Sequence, residues 1–146
     1  MIDLLQEAIK ELKLQNPKVK VLLTGKRRDY LIKNFEELSI PYIYLEMVDL
    51  NQVNELYNIL NLYIVSSRIE GGPQAIMECA ITKTPIVSTD VGIATEVLSS
   101  ESIYEDVNNF QNAKPNILYA YKNSQKYTIP DGMKKYIEMF RLINES

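Results

Sequence analysis

Apolar residues recur along the chain in two alternating rhythms. Over residues 2–14, Ile2, Leu5, Ile9, Leu12 and Leu14 fall at helical spacing, with acids and lysines between them. Asn16-Pro17 ends that helix, because a residue preceding proline disfavours helical dihedrals. Residues 19–24, Val-Lys-Val-Leu-Leu-Thr, form a mostly apolar strand that Gly25 closes. Helical spacing returns over 28–38 through Leu31, Ile32, Phe35 and Leu38, and 41–45 is a second short strand. Residues 51–60 predict another helix with Val53, Leu56, Tyr57 and Leu60 on one face, and 62–65 a continuous apolar strand. A helix over 73–82 stops before Pro85, and Ile86-Val87-Ser88 is the fourth strand. A short helix over 94–98 and an edge strand at 102–104 complete the alternation.

Strands that read as unbroken apolar runs are buried on both faces, which implies an α/β fold: a parallel sheet between two layers of helices. Ligands of such sheets bind outside the carboxyl ends of the strands. Here those ends carry the loops 25–28, 46–49, 66–72 and 89–94. Beyond them Asn108, Asn109, Asn112, Pro115 and Asn116 break any long pattern, and 117–121 reads as a helical segment. Residues 131–144 form a clearer helix with Met133, Tyr136, Ile137, Phe140 and Ile143 on one face. The whole, 1–146, reads as one domain with a carboxyl-terminal helical segment from about residue 106, and no repeat interrupts it.

One stretch stands out. Residues 66–78, Ser-Ser-Arg-Ile-Glu-Gly-Gly-Pro-Gln-Ala-Ile-Met-Glu, run from a strand end through a loop into a helix. Glycine followed by proline at the first helical position is a helix-start signature. The first-turn amides have no partner within the helix and carry the positive end of its dipole, so they suit a phosphate. Glu70 lies in the loop, and Glu78 about 7.5 Å along the helix from the turn, at ~1.5 Å rise per residue. Phosphate-binding amides flanked by two hydroxyl-accepting carboxylates suit a sugar nucleotide. The bland alternative is a cap for Glu70 and a solvated face for Glu78. Ala75, Ile76, Met77, Cys79 and Ala80 surround Glu78 in sequence, however, and an unpartnered carboxylate buried among them would cost a few kcal/mol.

Lys26, Arg27 and Arg28 stand on the ligand edge, where a phosphate contact and a solvated basic loop are both open readings. Asp90 and Glu96 read as a turn residue and a helix-start acid. Tyr119, Tyr121, Tyr127 and Tyr136 read as packing of the carboxyl-terminal segment in preference to base stacking.

Composition narrows the chemistry further. A net charge of −3 and a pI near 5.1 argue against a nucleic-acid partner, which needs a basic face. The absence of histidine removes Ser-His-Asp and Cys-His catalysis and any imidazole metal site, leaving carboxylate, hydroxyl and basic side chains for chemistry; no metal or cofactor is expected. The single cysteine, Cys79, excludes an internal disulfide and reads as a small core residue in a reducing cytoplasm. No apolar run reaches the ~20 residues of a membrane span, and the amino terminus lacks a signal-peptide pattern.

The run from Val53 to Pro73 resembles the carboxyl-terminal domain of retaining glycosyltransferases of the GT-B fold, the glycosyl transferases group 1 type. Its signature is a Glu, seven residues and a second Glu, here Glu70 and Glu78. The likeness continues through Pro85-Ile86-Val87-Ser88-Thr89-Asp90-Val91-Gly92 and Glu96-Val97-Leu98, covering residues 17–100. The resemblance implies a Rossmann-like three-layer sandwich, one half of a GT-B fold, that binds a nucleoside-diphosphate sugar as donor. It implies that Glu70 acts in catalysis by accepting hydrogen bonds from the donor sugar, and that Glu78 takes the ribose. Gly71, Gly72 and Pro73 would approach the sugar and diphosphate, and Met47 and Val48 the nucleobase. Lys26 and Arg27 are the candidates for gripping the phosphates.

Two departures qualify this. The family's first strand, carrying Gly-Arg and then a lysine, has no counterpart before Val19, and the second glycine of the usual Val-Gly-Gly loop is Ile93. The acceptor-binding amino-terminal domain is the expected partner, and peripheral contact of the intact enzyme with a membrane is compatible with the reading. The intact protein would transfer a hexose to a glycan or lipid-linked acceptor, and this chain alone would be inactive. The alternative is a non-catalytic nucleotide- or protein-binding domain of the same fold.

Overall fold

The computed structural model describes residues 2–144. In chain order it has α1 (Ile2–Gln15), β1 (Val21–Thr24), α2 (Asp29–Glu37), β2 (Tyr42–Leu45), α3 (Leu50–Ile59), β3 (Tyr63–Val65), α4 (Gln74–Thr82) and β4 (Ile86–Ser88). The short helices α5 (Ala94–Val97) and α6 (Val107–Phe110) follow, then α7 (Ile117–Ser124) and α8 (Lys134–Asn144). Local chemistry sets the boundaries. Asp49 accepts from the Gln52 amide at 2.9 Å while the Gln52 side chain accepts from the Asp49 amide, a capping box that starts α3. Lys83 takes the left-handed conformation (φ 60°) that ends α4, and the Thr84 amide donates back to Cys79 O at 2.9 Å.

All strands are parallel, as the apolar runs require. β1 pairs with β2 in the register Val21↔Tyr42, and β3 with β4 in the register Tyr63↔Ile86. The two pairs do not hydrogen-bond to one another. Helices lie on both faces. On one, Ile9 of α1 and Phe35 of α2 pack on Leu23, while Ala8 of α1 and Phe110 of α6 pack with Val87 and Tyr104. On the other, Tyr57 of α3, Ile76, Cys79 and Ala80 of α4 and Ala120 of α7 close on Val65 and Ile86. The result is the α/β, Rossmann-like arrangement expected of one half of a GT-B fold.

Residues 102–104 depart from the expected edge strand. Only a single bridge, Ser88↔Ile103, forms there, because residues Ser100–Ser102 coil into a 3₁₀ turn. Ser99 and Ser102 pair their hydroxyls at 3.1 Å and the Lys114 amide takes Glu101 O, so the chain turns away at once. Residues Asp131–Met133 are likewise a 3₁₀ turn leading into α8, whose Tyr136, Ile137 and Phe140 are exposed.

Candidate functional site

The parallel strands bring the loops after β1, β2, β3 and β4 to one edge of the fold. Two of these loops are tied together. The Thr89 amide donates to Val65 O at 3.0 Å and the Thr89 hydroxyl to Ser67 O at 2.5 Å. Gly92 then lies directly on the turn that opens α4. It has φ +52°, and a Cβ there would come within 2.9 Å of Pro73 Cδ and 3.0 Å of Gly72 Cα. Only glycine fits that combination of conformation and space. Gly71 and Gly72 are the reverse case, since a Cβ on either would meet nothing within 4 Å. Their surfaces face open space.

That space is an open hollow of about 620 Å³. The turn contributes Gly71, Gly72 and Pro73, and α4 contributes Gln74, Met77 and Glu78. Gly92, Ile93, Glu96 and Tyr127 line the rest. Pro73 is the residue before α4 (φ −65°, ψ 112°) instead of its first helical residue, and it supplies no side-chain cap. The Ile76 amide donates to Pro73 O at 3.1 Å, and the earlier amides of α4, at Gln74 and Ala75, have no side-chain cap and retain anion-binding character.

Glu78 is not buried among apolar neighbours, which corrects the reading of its surroundings. At ~100° per residue, Ile76, Cys79 and Ala80 face the core while Glu78 projects from the opposite side of α4 and is exposed. Its partner comes from α3: the Tyr57 hydroxyl donates to Glu78 Oε2 at 2.6 Å. Tyr57 is itself anchored, because the Thr84 hydroxyl donates to Tyr57 O at 2.8 Å. Burial first, and the bond to Glu78 second, push the Tyr57 phenol well above its usual range, so it stays a proton donor.

A second phenol–carboxylate pair lines the same hollow. The Tyr127 hydroxyl donates to Glu96 Oε2, and Lys126 Nζ lies 5.0 Å over the Tyr127 ring. Among the residues read from the sequence, Gly71, Gly72, Pro73 and Glu78 are brought together here, while Glu70, Met47, Val48, Lys26 and Arg27 do not line the hollow. Glu70 is exposed on the 66–72 loop, Met47 is 71% exposed, and Lys26 and Arg27 are exposed after β1. Arg28 turns back, its Nε donating to Thr24 O at 2.9 Å. Asp90 lines a separate hollow with Arg68 and Glu7. Burial pushes the Cys79 thiol upward, in keeping with a core residue.

Gln74 and Met77, which line the hollow, and Tyr57, which bonds Glu78 from behind it, are residues that sequence reasoning did not assign to the site. Tyr57 had one available signal: a tyrosine on an apolar helix face needs a partner for its hydroxyl. Among the described residues no cluster of three or more histidine, cysteine or acidic side chains could hold a metal, and no helix is long and apolar enough to cross a membrane.

The sequence profile described as Glycosyl transferases group 1 matches residues 1–137. No curated protein matches. Among solved structures, the GtfA/B complex superposes with a TM-score of 0.76 at 16% identity, covering 99% of this chain and 33% of that one. TarM gives 0.73 at 21% identity over 95% of this chain and 32% of its own. The pneumococcal O-GlcNAc transferase GtfA, in complex with UDP and GlcNAc, gives 0.69 at 16% identity over 99% and 33%. At these identities the likeness is one of fold, and this chain spans about a third of each of those structures.

Proposed function

The chain belongs to the glycosyl transferases group 1 family, and from that premise we propose that it is the donor-binding half of a retaining GT-B glycosyltransferase. Residues 1–146 form one nucleotide-sugar-binding domain. The diphosphate of the donor lies on the first-turn amides of α4 beside Gly71 and Gly72. Glu78 accepts from the ribose hydroxyls and Glu70 from the sugar, with Met47 and Val48 near the base and Lys26 and Arg27 toward the phosphates. An amino-terminal acceptor domain supplies the other wall of the cleft and the glycan or lipid-linked acceptor. The hexose then passes to an acceptor hydroxyl, which loses its proton, while the nucleoside diphosphate leaves with the electrons of the broken C–O bond. The protein's contribution is to position the donor and to stabilise the departing charge. Alone, the chain cannot exclude water or place an acceptor, and it binds without turnover.

The observation that supports this reading is the hollow itself. Its glycine wall is open, the first residue of α4 lines it, and Glu78 is held at its rim by Tyr57. A second reading, a binding module with no turnover in any assembly, is favoured by the same lining, which has two carboxylates and no lysine or arginine. Calorimetric titration with UDP, GDP, ADP and their hexose conjugates tests the first. Weak binding is expected, lost or much reduced for every ligand in Glu78→Ala, and reduced chiefly for the sugar conjugates in Glu70→Ala. Absence of binding at millimolar nucleotide overturns donor binding by this chain. Binding without hexosyl transfer, once an acceptor domain is supplied, favours the second reading.

A further inference from the structure

Glu96 stands in the first turn of α5, where an acid ordinarily serves the helix start. Its side chain makes no bond there. The start of α5 has no side-chain cap, and the Glu96 amide is already taken up by Ile93 O at 3.1 Å. The carboxylate lies instead in the wall of the hollow, where the Tyr127 hydroxyl, 31 residues along the chain, donates to its Oε2. Among the described residues no donor bonds its Oε1.

Tyr127 reaches the hollow by a fixed route. The Gly132 amide donates to Thr128 O at 2.7 Å, and a Cβ on Gly132 would lie 2.5 Å from Tyr127 O and 2.8 Å from its carbonyl carbon. The turn that leads into α8 is thus pressed onto the backbone of Tyr127, an approach that only glycine allows. From the other side Lys126 spans the pair, its Nζ 5.0 Å over the Tyr127 ring and 3.4 Å from Glu96 O. That lysine serves the end of α5 and does not line the hollow. Glu78 and Glu96 are therefore matched. Each is held through one oxygen by a phenol, and each keeps the other oxygen for a ligand. Two carboxylates with no lysine or arginine beside them in the lining repel a phosphate and accept from neutral hydroxyls. They leave the phosphates to the Gly71–Gly72 turn and the hydroxyl-bearing rings to themselves.

We propose that Glu96, positioned by Tyr127, is a second hydroxyl-accepting carboxylate of the hollow and binds a neutral hydroxyl of the nucleotide sugar. This role rests on the donor-binding reading of the hollow and adds to it a contact that Glu70 and Glu78 do not supply. The hydroxyl belongs either to the ribose, beside the one that Glu78 takes, or to the hexose. Tyr127 touches no ligand in this scheme. It fixes one oxygen of Glu96 so that the other is presented to the hollow.

Calorimetric titration of the full chain tests it, with whichever of UDP, GDP and ADP binds best and with the hexose conjugates of that nucleotide. Glu96→Ala should weaken binding of the conjugates at least about tenfold, as for a hydrogen bond to a charged group. An equal loss for the free diphosphate assigns the hydroxyl to the ribose, and a loss confined to the conjugates assigns it to the hexose. Glu96→Gln keeps an acceptor for Tyr127 without the charge, and should lose less than Glu96→Ala. Tyr127→Phe should weaken the same ligands by a smaller factor, and should add nothing to Glu96→Ala in the double variant. Glu96 is exposed and Tyr127 only half-buried, so the urea midpoint of each variant should stay near that of the unaltered chain. Unchanged affinity in Glu96→Ala, with binding still lost in Glu78→Ala, overturns the role of Glu96 and leaves donor binding standing. Additive losses in the double variant overturn the positioning by Tyr127. Absence of binding by the unaltered chain at millimolar nucleotide overturns both readings together.

Discussion

The Tyr57 hydroxyl reaches Glu78 Oε2 at 2.6 Å and joins the helix before β3 to the helix after it. A donor held in place this way fixes one carboxylate oxygen and leaves the other, which no described donor bonds, for a ligand at the hollow. Tyr57→Phe removes the hydroxyl and keeps the packing of the ring against Tyr63, whose centroid is 5.7 Å away. The expected loss is about 1 kcal/mol in nucleotide binding, roughly fivefold, from a carboxylate no longer oriented. Combined with Glu78→Ala, the second change should add nothing further. Calorimetry on the two single variants and the double variant checks this, and additive losses would mean that Tyr57 acts elsewhere.

The glycines of the site separate folding from binding. Gly92→Ala places a Cβ against Pro73 and Gly72 on a backbone with φ +52°, and should destabilise the fold by about 1–3 kcal/mol. Gly71→Ala and Gly72→Ala add a methyl group into open space. They should leave the denaturation midpoint nearly unchanged and weaken nucleotide binding, because the methyl occupies the ligand's place. Urea unfolding beside titration distinguishes the cases. A Gly71→Ala protein that binds normally would remove the turn from the site.

Much of the fold was legible because its strands are mostly apolar runs, the first closed by Gly25 and the fourth preceded by Pro85, and because its helices carry their apolar residues at one phase. Three features were not. The split of the parallel sheet into two pairs depends on which strands are neighbours, which an apolar run does not encode. The 3₁₀ turn at Ser100–Ser102 arises from serine hydroxyls competing with strand pairing, a contest that the apolar pattern of 103–104 hides. Glu78 was misread through its sequence neighbours, although helix phase alone sets it roughly 160° from Ile76 and Ala80. Its Tyr57 partner is 21 residues away, and only the packing of α3 on α4 joins them.

The last helix presents a different test. Tyr136 is 55% exposed and Phe140 60%, so neither supports the core of this chain. Replacing both with serine should change stability by no more than about 0.5 kcal/mol, as for other surface positions. If the apolar face of α8 docks on a partner domain, the same change should abolish co-purification with that domain. Light scattering should also register less self-association as concentration rises. A large loss of stability would place the two rings in the core.

Alkaline titration offers a prediction about the second phenol–carboxylate pair. The Tyr127 phenol is pushed up from 10 to about 12, first by its hydrogen bond to Glu96, then by burial and by the charge of Glu96. A phenol that holds its proton more tightly in the folded state stabilises that state fully below pH 10. Above that, the unfolded chain ionises first, and the contribution is lost as pH rises through 12. Tyr57 and Tyr104 are shifted in the same direction, chiefly by burial, and add to the loss. Thermal midpoints should therefore be level with respect to these phenols up to pH 9 and fall steeply between pH 10 and 12. Tyr127→Phe has no phenol to ionise and should fall less over that interval, with little change at neutral pH, because the pair is solvent-accessible. Parallel curves for the two proteins would show that the Tyr127–Glu96 bond does not persist in solution.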